Sequence, residues 1–202
     1  MTAILPLLML VILFACVAMC YAEGMWSNAV RLINTVTAAL LATSLYEPLA
    51  RWLEGMMPSY TYLWDFISLW VLFGAFNIVF RELTSALSKV KVRFLKIADR
   101  IGSGVFAFLV GCVLVSFTMM TLHAAPLGKT FLFGGFQPDQ RMLGGTAPDR
   151  QWLGFMERIS TGAYARTDVR RFTSTNEFIQ KYAARREQLE KNVKEHDSLL
   201  TN

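Results

Sequence analysis

Long apolar stretches alternate with short polar joints along this chain, and the stretch lengths decide its class. Residues 101–125 form 25 consecutive positions without Asp, Glu, Lys or Arg. As a helix rising about 1.5 Å per residue, that stretch outreaches the ~30 Å hydrocarbon core of a bilayer. Stretches 4–21 and 63–80 reach 18 residues each, near the lower limit of a span. The second apolar stretch, 27–46, is shorter in effect. Its uncharged part, from Leu32 to Tyr46, has 15 residues, or ~22 Å of helix. Ser27, Arg31, Asn34, Thr35, Ala38 and Ala42 share one small, polar face of it, which suits a neighbouring helix better than lipid. This helix is expected to face the interior, spanning or re-entrant.

Two amphipathic helices are predicted between these stretches. Over 47–57, Leu49, Trp52, Leu53, Met56 and Met57 recur at helical spacing before Pro58. Over 83–97, Leu83, Leu87, Val90, Phe94 and Ile97 form an apolar stripe among bases, as in a helix lying on anionic headgroups. Trp52, Tyr60, Tyr62 and Trp64 cluster as an interfacial aromatic belt does. The fold class is therefore all-α: a polytopic helical membrane protein with about four transmembrane segments (4–21, 27–46, 63–80 and 101–125). Residues 1–127 are expected to form the membrane domain, and 128–202 a small, polar, helical extramembrane tail.

Charge follows the same division. Residues 1–125 hold 8 Lys and Arg against 6 Asp and Glu, and the remainder 12 against 9. The net charge of +5 suits anionic headgroups, and no stripe of aromatics and arginines points to nucleic acid. Six bases lie over 81–100, whereas Arg51 alone lies between the second and third stretches. The positive-inside rule puts loop 81–100 in the cytoplasm and the tail outside it. The N-terminal stretch lacks a base before its apolar run and is long for a signal peptide, so it is expected to be a retained helix.

In the tail, Asp149 is placed to cap a helix through Ile159, carrying Trp152, Leu153, Phe155 and Met156, with Gly162 as its stop. Ser174 and Glu177 form a capping-box pattern before a helix to about Lys194 with Phe178, Ile179, Tyr182 and Leu189. Two such helices make a weak core alone, so the tail is expected to dock on its own membrane domain, a second copy or another membrane protein. The glycine-rich FLFGGF segment before them is expected to be irregular.

Catalytic apparatus is missing from the pattern. His123 and His196 have no nucleophile or carboxylate at motif spacing. Gly128-Lys129-Thr130 lacks the upstream glycine and strand of a phosphate loop. Cys16, Cys20 and Cys112 lie in apolar stretches, with no ligand-like spacing, and read as small packing residues. No metal, cofactor or small-molecule substrate is expected. The candidate positions are instead polar groups within or at the edge of the membrane: Arg31, Asn34, Asp65, Asn77, Asp99 and Arg100. Arg31 and Asp65 are expected near the interfaces and Asn77 to bond a neighbouring helix. Asp99 is expected to complement the start of the fourth helix. Gly104, Ala107 and Gly111 form a small-residue face expected to pack closely on another helix.

The glycine turn after the first helix, the early Arg31 of the second, the aromatic third stretch and the entry Ala98-Asp99-Arg100-Ile101-Gly102-Ser103-Gly104 together resemble the colicin V production (CvpA) family. The resemblance covers residues 1–127. Where that family shows a Gly-aromatic-Arg-x-Gly turn, this chain has Gly24-Met25-Trp26-Ser27-Asn28. The resemblance implies a multi-pass protein of the bacterial inner membrane, without catalysis, that supports toxin or peptide secretion or envelope homeostasis. The alternative is an anchor or scaffold displaying its tail to a partner. A continuous polar track between the second and third helices would favour a pathway, and a packed seam the scaffold. The topology has a direct test. A reporter active only in the cytoplasm, fused after Asn202, is expected to stay silent; strong activity would reverse the assignment.

Overall fold

The computed structural model describes residues 4–87, 96–128, 136, 141–143, 145–161 and 174–200. Six α-helices account for nearly all of them: α1 (Ile4–Tyr21), α2 (Met25–Met56), α3 (Thr61–Leu87), α4 (Lys96–Ala124), α5 (Pro148–Thr161) and α6 (Thr175–Leu200). A 3-10 turn over Pro58–Tyr60 joins α2 to α3. No strand occurs among the described residues, and the first four helices are each long and apolar enough to cross a membrane. They run alternately up and down. One end of the bundle gathers the α1–α2 turn with the start of α4; the other carries α5 and α6.

The elements differ from their sequence-based outlines at two places. The helices expected over 27–46 and 47–57 are one continuous α2 of 32 residues, about 48 Å long. Between Gly24 and Pro58 the only breakers are Pro48, which the helix accommodates in its interior, and Gly55, in its last turn. The helix ends at Met56 because Met57, forced into extended backbone (φ −140°, ψ 83°) by the ring of Pro58, cannot continue it. This length removes the re-entrant alternative, since α2 reaches both ends of the bundle. Of the helix expected over 83–97, the structure describes only residues 83–87 and 96–97. Leu83 and Leu87 extend α3, with no Gly or Pro after Gly74 to stop it short of Leu87, and Ile97 lies in the first turn of α4. Lys89, Val90, Lys91, Arg93 and Phe94 lie outside the described residues, as do Gly162 and most of FLFGGF.

One core runs through bundle and tail alike. Ala38, Ala39 and Ala42 of α2 are fully buried against Leu69 and Phe73 of α3, and the small alanines let those backbones approach closely. Phe117 and Met120 of α4 continue this core, and Phe73 and Phe117 stack at 4.5 Å. Trp152, Leu153 and Met156 of α5 and Phe178, Ile179 and Tyr182 of α6 close it at the tail end. The tail thus docks on its own bundle. Its apolar residues are the lid that the ends of α2 and α4 would otherwise lack. The opposite surface of the bundle is apolar and exposed: Leu7, Phe14, Ile33, Val71, Ile78 and Phe108 point outward, as lipid-facing residues should.

α1 packs mainly on α4. Ala107 is fully buried there, and Gly111 faces Leu13 so closely that a Cβ would stand 2.6 Å from Leu13 Cδ1 and 3.4 Å from its carbonyl oxygen. Gly104 is less tight, its Cβ position lying 3.6 Å from the Tyr21 ring. Gly111→Leu is expected to destabilise the bundle by about 1–3 kcal/mol through overpacking, read as a lower melting temperature in mild detergent. Phe108→Leu, on the exposed face, is the neutral control. Equal melting of wild type and Gly111→Leu would move the α1–α4 contact elsewhere.

Candidate functional site: the polar dock between bundle and tail

Asp65 stands one turn into α3, the only acidic residue between Glu54 and Glu82. It is 7 % exposed, and a carboxylate so enclosed is costly unless paired. α6 supplies the partners. Tyr182 and Arg185 lie three apart on one face of that helix. The Tyr182 hydroxyl donates to Asp65 Oδ2 at 2.8 Å, and Arg185 Nη1 forms a short ion pair with the same oxygen. The second guanidinium nitrogen, Nη2, donates to the Thr61 carbonyl at 3.0 Å, a further contact with the start of α3. The Tyr46 hydroxyl lies 3.2 Å from that of Tyr182, and Lys181 pairs with Glu47 at 2.8 Å, so α2 is held as well. Burial, reinforced by Tyr46 and the Asp65 carboxylate, holds the Tyr182 hydroxyl well above the ordinary phenol range. It therefore stays protonated and serves as a donor.

A second link ties α4 to the tail. His123 Nε2 lies 2.9 Å from Asp149 Oδ2, both side chains being enclosed. Asp149 was expected as a cap. Instead α5 starts at Pro148, and the Asp149 carboxylate turns inward to His123. Its position in the first turn still complements the positive end of the α5 dipole. Arg186 of α6 donates to the His123 carbonyl at 2.8 Å, and Phe136 meets the His123 ring edge-on. Trp152 Nε1 donates to Thr43 Oγ1 at 3.3 Å. The capping box at the head of α6 is present, with Ser174 and Glu177 bonding reciprocally. Tyr62, His123, Tyr182, Arg185, Arg186 and Leu189 line a small crevice where α4 ends against α6. The side chain of His196 lies outside the described residues.

The other end of the bundle holds a separate polar knot. Gly24 takes φ +90°, a left-handed conformation that turns the chain from α1 into α2. Asp99 Oδ1 accepts the Met25 N–H at 2.9 Å. Asp99 thus caps α2 rather than only the start of its own helix, because α4 begins a turn earlier, at Lys96. Asn28 is fully buried and donates through Nδ2 to the Cys20 carbonyl (2.8 Å) and to Ser103 Oγ (2.9 Å). Ser103 Oγ donates in turn to the Tyr21 carbonyl at 2.7 Å. A Cβ at Gly102 would stand 2.1 Å from Met25 Sδ, so any larger residue there would have to displace the Met25 side chain.

The remaining candidates fall into place around these knots. Arg31 pairs with Glu23 and donates to Cys20 Sγ at 2.9 Å. Asn34 donates to Thr84 Oγ1 at 3.0 Å, joining α2 to the far end of α3. Asn77 was expected to bond a neighbouring helix; it donates instead to the Phe73 carbonyl of its own helix at 2.9 Å, the nearest free lone pair one turn back. Arg100 is exposed. Between Asn34 and the Tyr46 and Asp65 end the α2–α3 seam is filled by Ala38, Ala39, Ala42, Leu69 and Phe73; Thr35 and Ser68 are buried along it, and Thr43 bonds the Ala39 carbonyl and Trp152. No group of three or more His, Cys, Asp or Glu among the described residues is placed to hold a metal ion.

A family model described as Colicin V production protein matches residues 5–134. The chain belongs to this family. It is accordingly a multi-pass membrane protein of the colicin V production family, with α1 to α4 as the matched unit and α5 and α6 beyond the match. No curated protein and no solved structure matches the chain. Arg185, Tyr182, Lys181, His123 and Asn28 were missed as functional positions in the sequence. The available signal was the isolation of Asp65, which required a cation from outside the apolar stretches.

Arg185→Ala is expected to cost about 2 kcal/mol, less than the roughly 3–5 for a fully enclosed pair, because the Arg185 side chain stays 25 % exposed. The double variant with Asp65→Asn should recover much of that loss in a detergent melt. Additive losses would show the two side chains to be uncoupled.

Proposed function

We propose that this member of the colicin V production family is a non-catalytic scaffold of the bacterial inner membrane. In this reading it supports toxin or peptide secretion or envelope homeostasis by presenting its latched tail, outside the cytoplasm, to a partner membrane protein or a second copy. The observation that carries the reading is the packed α2–α3 seam. Its polar ends, Asn34 with Thr84 and, at the tail, Tyr46 and Asp65 each bonded to the Tyr182 hydroxyl, are separated by fully buried alanines, Leu69 and Phe73. A single copy therefore offers no continuous polar track for a solute. The dock supports the same reading from the other side. Asp65, Glu47, His123 and Thr43 all spend their polar atoms on the tail, so α5 and α6 are held at fixed positions above the bundle. A rigidly placed surface suits recognition, because the ordering entropy has been spent before a partner arrives.

Two measurements on one set of variants test this. Proteoliposomes carrying the full chain should remain tight to a small fluorescent anion, and cells carrying Asp65→Ala together with Lys181→Ala should lose the secretion or envelope phenotype at unchanged membrane levels. Leak from the wild-type vesicles would favour a conduit. A retained phenotype with the tail undocked would remove the tail from the function.

A further inference from the structure

The end of the bundle opposite the tail carries a charge imbalance that the fold sharpens. In sequence, Glu82 and Asp99 sit among Arg81, Lys89, Lys91, Arg93, Lys96 and Arg100. In the structure, Asp99 is taken up by the α2 cap, its Oδ1 on the Met25 N–H and its side chain half-buried. Glu23, the other nearby acid, is paired with Arg31. Arg81, Lys96 and Arg100 remain exposed, with no ion-pair partner among the described residues, against the exposed carboxylate of Glu82 and that of Glu23, which Arg31 already pairs.

Apolar side chains stand between these cations. Leu83, Leu87, Ile97 and Ile101 are 52 %, 76 %, 77 % and 65 % exposed. Outward aliphatics interleaved with unpaired cations would be unfavourable in water and suit the boundary between acyl chains and headgroups. The helix lengths put them at that depth. α3 has 27 residues and α4 has 29, each about two turns more than the ~20 needed to cross the hydrocarbon. These extra turns carry the cations.

We propose that Arg81, Lys96 and Arg100 bind the phosphate groups of anionic phospholipids of the phosphatidylglycerol type. The neighbouring aliphatics seat in the acyl boundary, and the pairing fixes this end of α3 and α4 at the membrane surface. Planar guanidinium groups are suited to bidentate phosphate contact and Lys96 adds a point charge. The inference rests on the membrane assignment and not on the scaffold role, so proteoliposome leak or loss of a partner leaves it standing.

The test compares the full chain with R81Q/K96Q/R100Q in vesicles of phosphatidylcholine alone or mixed with phosphatidylglycerol, using spin-labelled lipids of each type. The wild type should select phosphatidylglycerol, each cation contributing a factor of roughly five near an anionic surface, and high salt should remove most of the preference. The triple variant should lose it while melting normally in phosphatidylcholine. D99N, which can still accept the Met25 N–H, should keep it. No preference in the wild type, or an undiminished preference in the triple variant, would overturn the proposal. Equal protection by soluble glycerol phosphate would do so too, because it would assign the site to a free anion. Should the triple variant fail to insert, a salt-independent preference in the wild type would likewise overturn it.

Discussion

A carboxylate set among apolar helices needs a cation, and most of the tail end of this protein is arranged around that need. Asp65 lies where α3 leaves the 3-10 turn, enclosed by α2 and the incoming α6. Desolvating it alone would cost more than the local packing returns. Arg185 and Tyr182 meet that cost from one face of α6, and in doing so fix the rotation of that helix. Once α6 is set, Phe178 and Ile179 fall onto the aromatic core of Phe73, Phe117 and Trp152. The polar contact thereby supplies registration, and the burial of aromatic surface supplies most of the stabilisation.

The opposite end solves a different problem with the same means. α1 and α2 meet at a tight turn whose first N–H groups have no partner within their own helix. Asp99, Asn28 and Ser103 reach across from α4 and from α2 itself to bond the Met25 N–H and the Cys20 and Tyr21 carbonyls. The solution binds three helices in one place, and glycine at 102 leaves room there for the Met25 side chain. It also withdraws a negative charge from the surface. The same side chain that caps α2 leaves the neighbouring cations unopposed, which couples the internal architecture of this end to its surface charge.

These two polar ends are joined by a middle that is almost wholly apolar inside and out. Alanines on α2 and the glycine face on α4 bring backbones close, and large aliphatics cover the surface. In a bilayer the outward aliphatics gain nothing by association, so packing of small residues and the polar locks at each end decide how the helices pair. That division of labour explains why the seam between α2 and α3 can be packed without a polar track while both termini of the bundle are rich in hydrogen bonds.

Hydropathy alone determined the membrane class, the number of spans and the polar tail, because a ~30 Å hydrocarbon slab imposes a minimum apolar length that can be read from the chain. Glycine and alanine spacing on the fourth helix, and the capping box of α6, were equally legible, since both are local. Element boundaries were less so. Between Gly24 and Pro58 the helix absorbs Pro48 and meets no other breaker before Gly55 in its last turn, which made two predicted helices one. Only the tertiary structure decided which polar groups meet. Asp65 with Arg185 is a contact across 120 residues, and Met25 with Asp99 one across 74. Nothing in local periodicity encodes such partners, because each depends on how helices rotate and stack once their apolar faces have been buried. The sequence could state that Asp65 and Asp99 needed partners; the packing of α6 on α3 and of α4 on the α1–α2 turn chose them.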